Sequence, residues 1–116
     1  MPREFARHLR VGSEMERILN DLLQGEVKDP RLKDVRVSEV AVSGDLGVAR
    51  VYYSTLNPDA DCEPIEAALQ TAASFIRSRL GRRTKLRRVP ELRFEQDLSA
   101  RRGLKITALI SQVNKD

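Results

Sequence analysis

The chain has almost no histidine or cysteine, two of the side chains that catalysis and metal binding most often use. Its 116 residues include one histidine, His8, one cysteine, Cys62, and no tryptophan. A single histidine leaves no choice of partner for a Ser-His-Asp arrangement, and one cysteine with one histidine is too few ligands for a structural zinc site. Cys62 also stands between Asp61 and Glu63, whose negative charges disfavour a reactive thiolate. We therefore expect a protein that is not an enzyme and that holds no metal or cofactor.

The sequence predicts neither an internal disulfide nor a membrane-spanning segment. One cysteine cannot form an internal disulfide, which favours a reducing compartment. No apolar run is long enough to span a bilayer, and the first ten residues lack the apolar core of a signal peptide. We therefore expect a cytoplasmic protein that makes no membrane contact, and nothing indicates more than a monomer. At this length we expect one domain over residues 1–116, in which residues 1–10 and 98–116 are flexible or peripheral.

Two short motifs resemble functional sites but have simpler explanations. Asp59, Asp61 and Glu63 lack the glycine and the later glutamate of a calcium loop, so we interpret them as charges that suit the start of a helix. Residues 44–47 spell GxxG, the loop that clamps nucleic-acid backbone in KH domains. In this chain the motif lies between two predicted strands, where glycine and aspartate are typical turn residues. We therefore predict a hairpin turn there.

Apolar periodicity predicts the element order α-β-β-α-β, followed by a C-terminal helical segment. The predicted elements are a helix over residues 4–24, a β-hairpin of strands near 35–42 and 48–53, a helix from Pro64 to Gly81, a strand over 86–94 with Pro90 at its beginning or at an edge, and a helical segment over 106–113. A capping box at Ser13 and Glu16 leaves a later start of the first helix open. The apolar alternation slips between Val37 and Val40, which predicts either a bulge or an imperfect alternation. The fold class is therefore α+β, with a three-stranded sheet covered by helices.

Positive charge is concentrated in one segment. Residues 77–88 hold seven basic residues and no acidic one: Arg77, Arg79, Arg82, Arg83, Lys85, Arg87 and Arg88. Residues 26–66 carry five basic and nine acidic residues. Arginines at the end of a helix complement its dipole, which accounts for some of the seven but not for a run without interleaved acids. A phosphate backbone is the commonest partner of such a run, so we predict that these seven side chains contact RNA.

Two weaker basic sets lie towards the ends of the chain. Arg3, Arg7 and Arg10 form a secondary set of predicted RNA contacts, and Arg101, Arg102 and Lys105 form a third that a solvated helix face explains equally well. Aromatic residues make up only 4% of the chain, so contacts to phosphates and to RNA shape should dominate over base stacking. A protein-interaction domain that uses the acidic residues 26–66 remains an alternative.

The basic segment and its surroundings resemble the bacterial ribosome-binding factor A family. The resemblance is carried by FIRSRLGRR at residues 75–83, Leu86-Arg87 and VPELRF at 89–94, and more weakly by KDPRL at 28–32, Ala49 to Tyr52, Arg10-Val11 and Ile18-Leu19. It extends over almost the whole chain. It implies a KH-like fold of the type II order, in which a kinked Ala-x-Gly helix junction replaces the GxxG loop. The matching residues are Ala72, Ala73 and Ser74, with serine where the family usually has glycine.

The resemblance also implies a function. Members of the family are non-enzymatic assembly factors that bind the free small (30S) ribosomal subunit near the decoding-side neck. They assist late maturation of 16S rRNA, including processing of its 5′ end, matter most in the cold, and leave before translation begins. Small-subunit proteins and an assembly GTPase linked to release are the implied further partners. The alternative is a general KH-type RNA-binding protein without ribosome specificity.

Overall fold

The computed structural model describes residues 3–57 and 61–98. Its elements are helix α1 (Arg3–Gly25), a short 3-10 helix (Pro30–Leu32), strands β1 (Val35–Val42) and β2 (Val48–Thr55), helix α2 (Cys62–Arg83) and strand β3 (Glu91–Gln96). The α+β prediction with a three-stranded sheet is confirmed. The predicted helical segment over 106–113 and the basic residues Arg101, Arg102 and Lys105 lie outside the described residues.

Helix α1 extends from Arg3 to Gly25, within one residue of the predicted bounds, so the alternative start at Ser13 does not hold. Strand β3 begins at Glu91, directly after Pro90, as the interpretation of Pro90 as the start of the strand indicates, and not at residue 86. Pro90 lacks an N–H group and cannot donate to a strand ladder, so the first hydrogen bond at this end runs from Glu91 N to Gly47 O at 2.9 Å.

The sheet has the order β1-β2-β3. Strands β1 and β2 are antiparallel, and their register shifts between Val37 and Glu39, which leaves Ser38 as the extra residue of a bulge. The bulge predicted from the slipped alternation is therefore confirmed. Strands β2 and β3 are parallel, with Val48 opposite Glu91. Parallel neighbours need a long crossover, which α2 supplies.

The hairpin loop confirms the turn interpretation of the GxxG motif. Leu46 N donates to Ser43 O at 2.9 Å, and Ser43 N donates to Val48 O at 2.8 Å, which closes the loop between β1 and β2. Asp45 stabilises the same loop, because its carboxylate accepts hydrogen bonds from Gly47 N and from Ser43 Oγ. The motif is therefore accounted for by turn chemistry.

The two helices cover one face of the sheet. Val37 pairs with Tyr53, and Val40 pairs with Val51, and all four side chains point into the core between sheet and helices. The helices contribute the remaining large buried side chains, chiefly Met15, Ile18, Leu19, Leu22, Ile65, Leu69, Ile76 and Leu80. Neither described helix is long and apolar enough to cross a membrane.

Helix α1 is fixed to strand β1 by two contacts that hydrophobic burial alone does not supply. The Asn20 side chain accepts a hydrogen bond from Val37 N at 2.8 Å and donates one to Val37 O at 3.0 Å, as a neighbouring strand would. Eight residues earlier, Gly12 lies so close to β1 that a Cβ atom would stand 2.6 Å from Val40 O. These contacts determine where the N-terminal half of α1 lies on the molecule.

Candidate nucleic-acid interface

Helix α2 carries most of the predicted RNA contacts, and its ends lie outside the predicted bounds. The Asp61 side chain accepts a hydrogen bond from Glu63 N at 3.0 Å and caps the helix, which therefore starts before the predicted Pro64. The helix ends at Arg83, two residues beyond the predicted Gly81. Basic residues in the last turn complement the helix dipole, so the same arginines that suggest RNA binding also stabilise this end of the helix.

The basic segment, residues 77–88, spans the end of α2 and the loop before β3. Four of its cations lie on the helix and three in the loop, in the order Arg77, Arg79, Arg82, Arg83, Lys85, Arg87 and Arg88. All are exposed except Arg79, which is half-buried. Six of the seven predicted contact residues are therefore exposed at the end of α2 or in the loop that follows it.

Two of these arginines are engaged in contacts within the protein. Arg77 Nη2 donates to Val89 O at 2.9 Å, which ties the loop to the helix that precedes it. Arg83 Nη2 lies 3.1 Å from Asp21 Oδ2 and links α2 to α1. Both partners of this ion pair are well exposed, so it contributes about 0–1 kcal/mol to stability. These two guanidinium groups have a positioning role that the sequence does not indicate.

Three cations of the basic segment have no such partner. Within residues 3–57 and 61–98, Arg82, Lys85 and Arg87 make no hydrogen bond or ion pair. Arg88 differs from these three cations, because its positive charge acts on the carboxylate of Asp45 in the hairpin loop. Hydrogen bonds from Gly47 N and from a serine hydroxyl, with a smaller contribution from Arg88, lower the pKa of Asp45 below its usual value. The unpartnered cations are the ones best able to contact phosphate.

The middle of α2 contains the residues that the resemblance assigns to a kink. Ala72 and Ala73 are half-buried and Ser74 is exposed, within a helix that is continuous from its first to its last residue. The kink stays a prediction. One turn further on, the Arg79 guanidinium carbon lies 5.0 Å from the centre of the Phe75 ring, and that ring is 39% exposed. The pair forms a cation–π contact on the surface of the helix.

The secondary basic set lies beside the basic segment. Arg7 and Arg10, on the exposed side of α1, border a hollow of about 220 Å³ whose opposite wall is formed by Thr84, Lys85 and Leu86. Arg10 and Lys85 are 75 positions apart in the sequence (85 − 10), and their proximity follows only from the packing of α1 against the end of α2. The side chain of Arg3 lies outside the described part of the structure.

The open face of the sheet carries two arginines that the sequence reasoning missed. Arg50 on β2 and Arg93 on β3 stand directly opposite each other and border a second hollow of about 420 Å³. Arg93 Nη2 lies 3.5 Å from Glu91 Oε2, a long and exposed ion pair. Like charges on neighbouring strands are unfavourable, and only the strand register, which depends on the crossover through α2, brings them together.

The titratable residues elsewhere form no catalytic arrangement among the described residues. His8 Nε2 lies 3.0 Å from Gly44 O, and Cys62 is half-buried at the first position of α2. No three described His, Cys, Asp or Glu side chains are grouped to hold a metal ion. Burial, helped by the negative charge of Glu66, raises the pKa of Tyr53 to about 12. Tyr53 is a core residue on β2, away from the basic segment.

One protein-family model matches most of the chain. The family model described as ribosome-binding factor A matches residues 7–110. Among similar proteins, ribosome-binding factor A of Marinomonas sp. strain MWYL1 is 44% identical over 119 residues, covering 100% of this chain and 92% of that protein. Ribosome-binding factor A of Stutzerimonas stutzeri strain A1501 is 42% identical over 115 residues, covering 97% and 89% respectively.

Solved structures show the same likeness. The crystal structure of ribosome-binding factor A from Thermus thermophilus superposes with a TM-score of 0.69 at 29% identity, covering 77% of this chain and 94% of that one. A homology model of the Thermus thermophilus protein, fitted into a cryo-EM map of its complex with the 30S subunit, superposes with a TM-score of 0.63 at 30% identity. It covers 75% of this chain and 91% of that one.

Proposed function

This chain belongs to the ribosome-binding factor A family, and we propose that it binds the free small (30S) ribosomal subunit and assists late maturation of 16S rRNA, including processing of its 5′ end. The family name describes a binding factor, and the proposed role is that of a non-enzymatic one. A protein with this role acts in the cytoplasm, where ribosomal subunits are assembled. Small-subunit proteins and an assembly GTPase are its proposed further partners. The fitted 30S complex of the Thermus thermophilus protein supports the choice of subunit.

The observation that carries the proposal is the basic segment with its unpartnered cations. Arg82, Lys85 and Arg87 are exposed and make no polar contact within the described residues, so binding phosphate breaks no existing interaction. The segment is held in place by the Arg77 contact to Val89 O and by the Arg83 contact to Asp21. A positioned row of cations loses little entropy when it meets a folded RNA.

The mechanism is positional. A rigid basic surface binds best to RNA whose phosphates already match its spacing, so it stabilises that conformer over the alternatives. The effect on RNA folding equals the difference in affinity between the two conformers and requires no chemical step. Release follows when the RNA or a partner adopts a shape that no longer matches the surface.

The first test removes two unpartnered cations. In the variant Arg82→Ala with Arg87→Ala, we expect weaker binding to the free 30S subunit and a salt dependence that is shallower by about two units, because each lost phosphate contact removes about one. Binding is measured by sedimentation over a series of salt concentrations. Circular dichroism should show an unchanged fold, and thermal unfolding should show at most a small loss of stability, because neither side chain makes a hydrogen bond or ion pair within the described residues and Arg82 loses only its interaction with the dipole of α2, about 0.3–1 kcal/mol.

The matched control is Arg31→Ala with Arg36→Ala. It changes the net charge by the same amount, but the Arg31 guanidinium is paired with Asp29 at 2.7 Å and Arg36 donates to the carbonyls of Lys33 and Val35. We expect its salt dependence to match the wild-type protein. An equal loss in both variants would mean that total charge, and not the basic segment, determines binding.

Ribosome specificity needs a separate comparison. The protein is sedimented with free 30S subunits, with whole ribosomes and with an RNA of matched length, at low and at moderate salt. Binding to the free subunit alone that persists at moderate salt supports the assembly factor. Equal binding to all three, lost together as salt rises, would identify a general KH-type RNA-binding protein instead.

A further inference from the structure

The hollow between α1 and the loop after α2 combines apolar walls with charged side chains. It measures about 220 Å³, below the roughly 300–1,000 Å³ of most small-molecule sites, so it admits a single base but not a large ligand. Val11 and Leu86 are half-buried and give it apolar walls, with the buried Met15 beneath them. An apolar surface of this kind is covered by a flat ring and not by a bare phosphate.

Charged groups surround these apolar walls. Arg7 and Arg10 contribute from α1 and Lys85 from the loop, and the carboxylate of Glu14 lies in the same hollow. Glu14 is one helical turn after Arg10, at a spacing that favours an ion pair, yet the two form none. Within the described residues none of these four side chains has a hydrogen bond or an ion pair, so all four are available to a ligand.

The chemistry of the four groups selects one kind of occupant. Three cations attract an anion, but the carboxylate of Glu14 would repel an inserted acidic side chain of a protein partner. A carboxylate is instead a good acceptor for the exocyclic amino group of guanine, adenine or cytosine. A nucleotide combines the three requirements: a flat base for the apolar walls, a donor for the carboxylate and a phosphate for the cations.

We propose that this hollow binds the base of one unstacked nucleotide of the bound RNA, with Glu14 accepting a hydrogen bond from its amino group and Arg7, Arg10 and Lys85 contacting the flanking phosphates. The proposal rests on the RNA binding proposed above and deepens it. Lys85 belongs to the basic segment and to the hollow, so an RNA strand that follows the segment reaches the hollow directly. Stacked A-form RNA offers no such base, whereas a bulge or a loop does.

The test uses RNA hairpins that differ by one unpaired nucleotide. Binding is measured by fluorescence anisotropy for a fully paired hairpin and for hairpins with a single guanosine, adenosine, cytidine or uridine bulge. We expect the three amino-bearing bulges to bind about tenfold more tightly than the paired hairpin, a typical gain for one base contact, and the uridine bulge to gain less. Equal binding of all five hairpins overturns the proposal.

Two matched variants separate the carboxylate of the hollow from general charge. Glu14→Ala and Glu16→Ala both remove one negative charge from α1, and Glu16 does not line the hollow. Both variants should bind the fully paired hairpin more tightly, but only Glu14→Ala should lose the preference for amino-bearing bulges over uridine. Retention of that preference in Glu14→Ala, or its loss in Glu16→Ala, overturns the assignment of Glu14.

The same experiment distinguishes this proposal from the one it rests on. If neither a hairpin nor the 30S subunit binds, both the proposed RNA binding and the proposed nucleotide site are wrong. If the hairpins bind with a salt dependence that Arg82→Ala with Arg87→Ala weakens, but without preference for a bulge, the RNA-binding surface stands and the nucleotide site alone is wrong.

Discussion

The close approach of α1 to β1 at Gly12 makes a quantitative prediction for the substitution Gly12→Ala. An added Cβ would lie 2.6 Å from Val40 O and 3.9 Å from Val42 Cγ2. Real Cβ contacts are essentially never closer than 3.0 Å, so the helix and the strand must separate by at least a few tenths of an ångström. Neither moves easily, because the strand is paired to β2 and Asn20 holds both backbone groups of Val37.

The magnitude follows from two opposing effects. Overpacking of this kind costs about 1–3 kcal/mol. Alanine is better than glycine inside a helix by about 1 kcal/mol, which offsets part of that cost. The two effects together leave a net cost of about 0–2 kcal/mol, so we expect Gly12→Ala to lower the melting temperature of a domain of this size by up to roughly 15 °C.

The assay is thermal and urea unfolding, with Gly25→Ala as the matched control. Gly25 is the last residue of the same helix, has no positive φ angle, and nothing lies within 4 Å of the position its Cβ would take. The control should be neutral or more stable by up to about 1 kcal/mol. The reasoning is refuted if Gly12→Ala is more stable than the wild-type protein by about 1 kcal/mol, because the close contact at Val40 O would then impose no cost.

Two further predictions concern the core. Asn20→Ala should cost about 2–3 kcal/mol in urea unfolding, because it leaves the part-buried N–H and C=O of Val37 without their partner; a cost below about 0.5 kcal/mol would show that water replaces the amide. Tyr53 has a raised pKa of about 12, so its neutral form is favoured in the folded protein. The corresponding stability is present below about pH 10 and lost as pH rises towards 12. Absorbance titration should show one tyrosine ionising near pH 12 in the folded protein, and Tyr53→Phe should remove that step; its persistence would assign it to another residue.

The fold divides the seven basic residues into groups that the sequence does not distinguish. By sequence they are equivalent, because each is a cation in one acid-free run. In the fold, Arg77 and Arg83 hold the loop and the two helices together, while Arg82, Lys85 and Arg87 have no described partner. Substituting the first pair is expected to disturb the surface itself, so the second group gives the cleaner test of phosphate contact.

Local sequence patterns were sufficient for most of the secondary structure. The apolar period of α1 and α2, the alternation in the hairpin and its slip before Val40 each depend on residues that are close in the chain. The boundaries of the helices and strands were predicted less accurately than their order. The capping motif at Ser13 is overridden because the preceding residues continue the apolar stripe with Val11, and β3 starts later than expected because Pro90 has no hydrogen to donate.

The sequence by itself determined the α+β class, the hairpin, the family and the concentration of positive charge between residues 77 and 88, because each is written in neighbouring residues. Only the tertiary structure decided which cations make contacts within the protein, that Arg7, Arg10 and Lys85 border one hollow, and that a Cβ atom at Gly12 would press against Val40 O. These features depend on how α1 packs against β1 and the end of α2. Contacts between residues so far apart in the chain are decided by packing and leave no periodic or compositional mark on either segment.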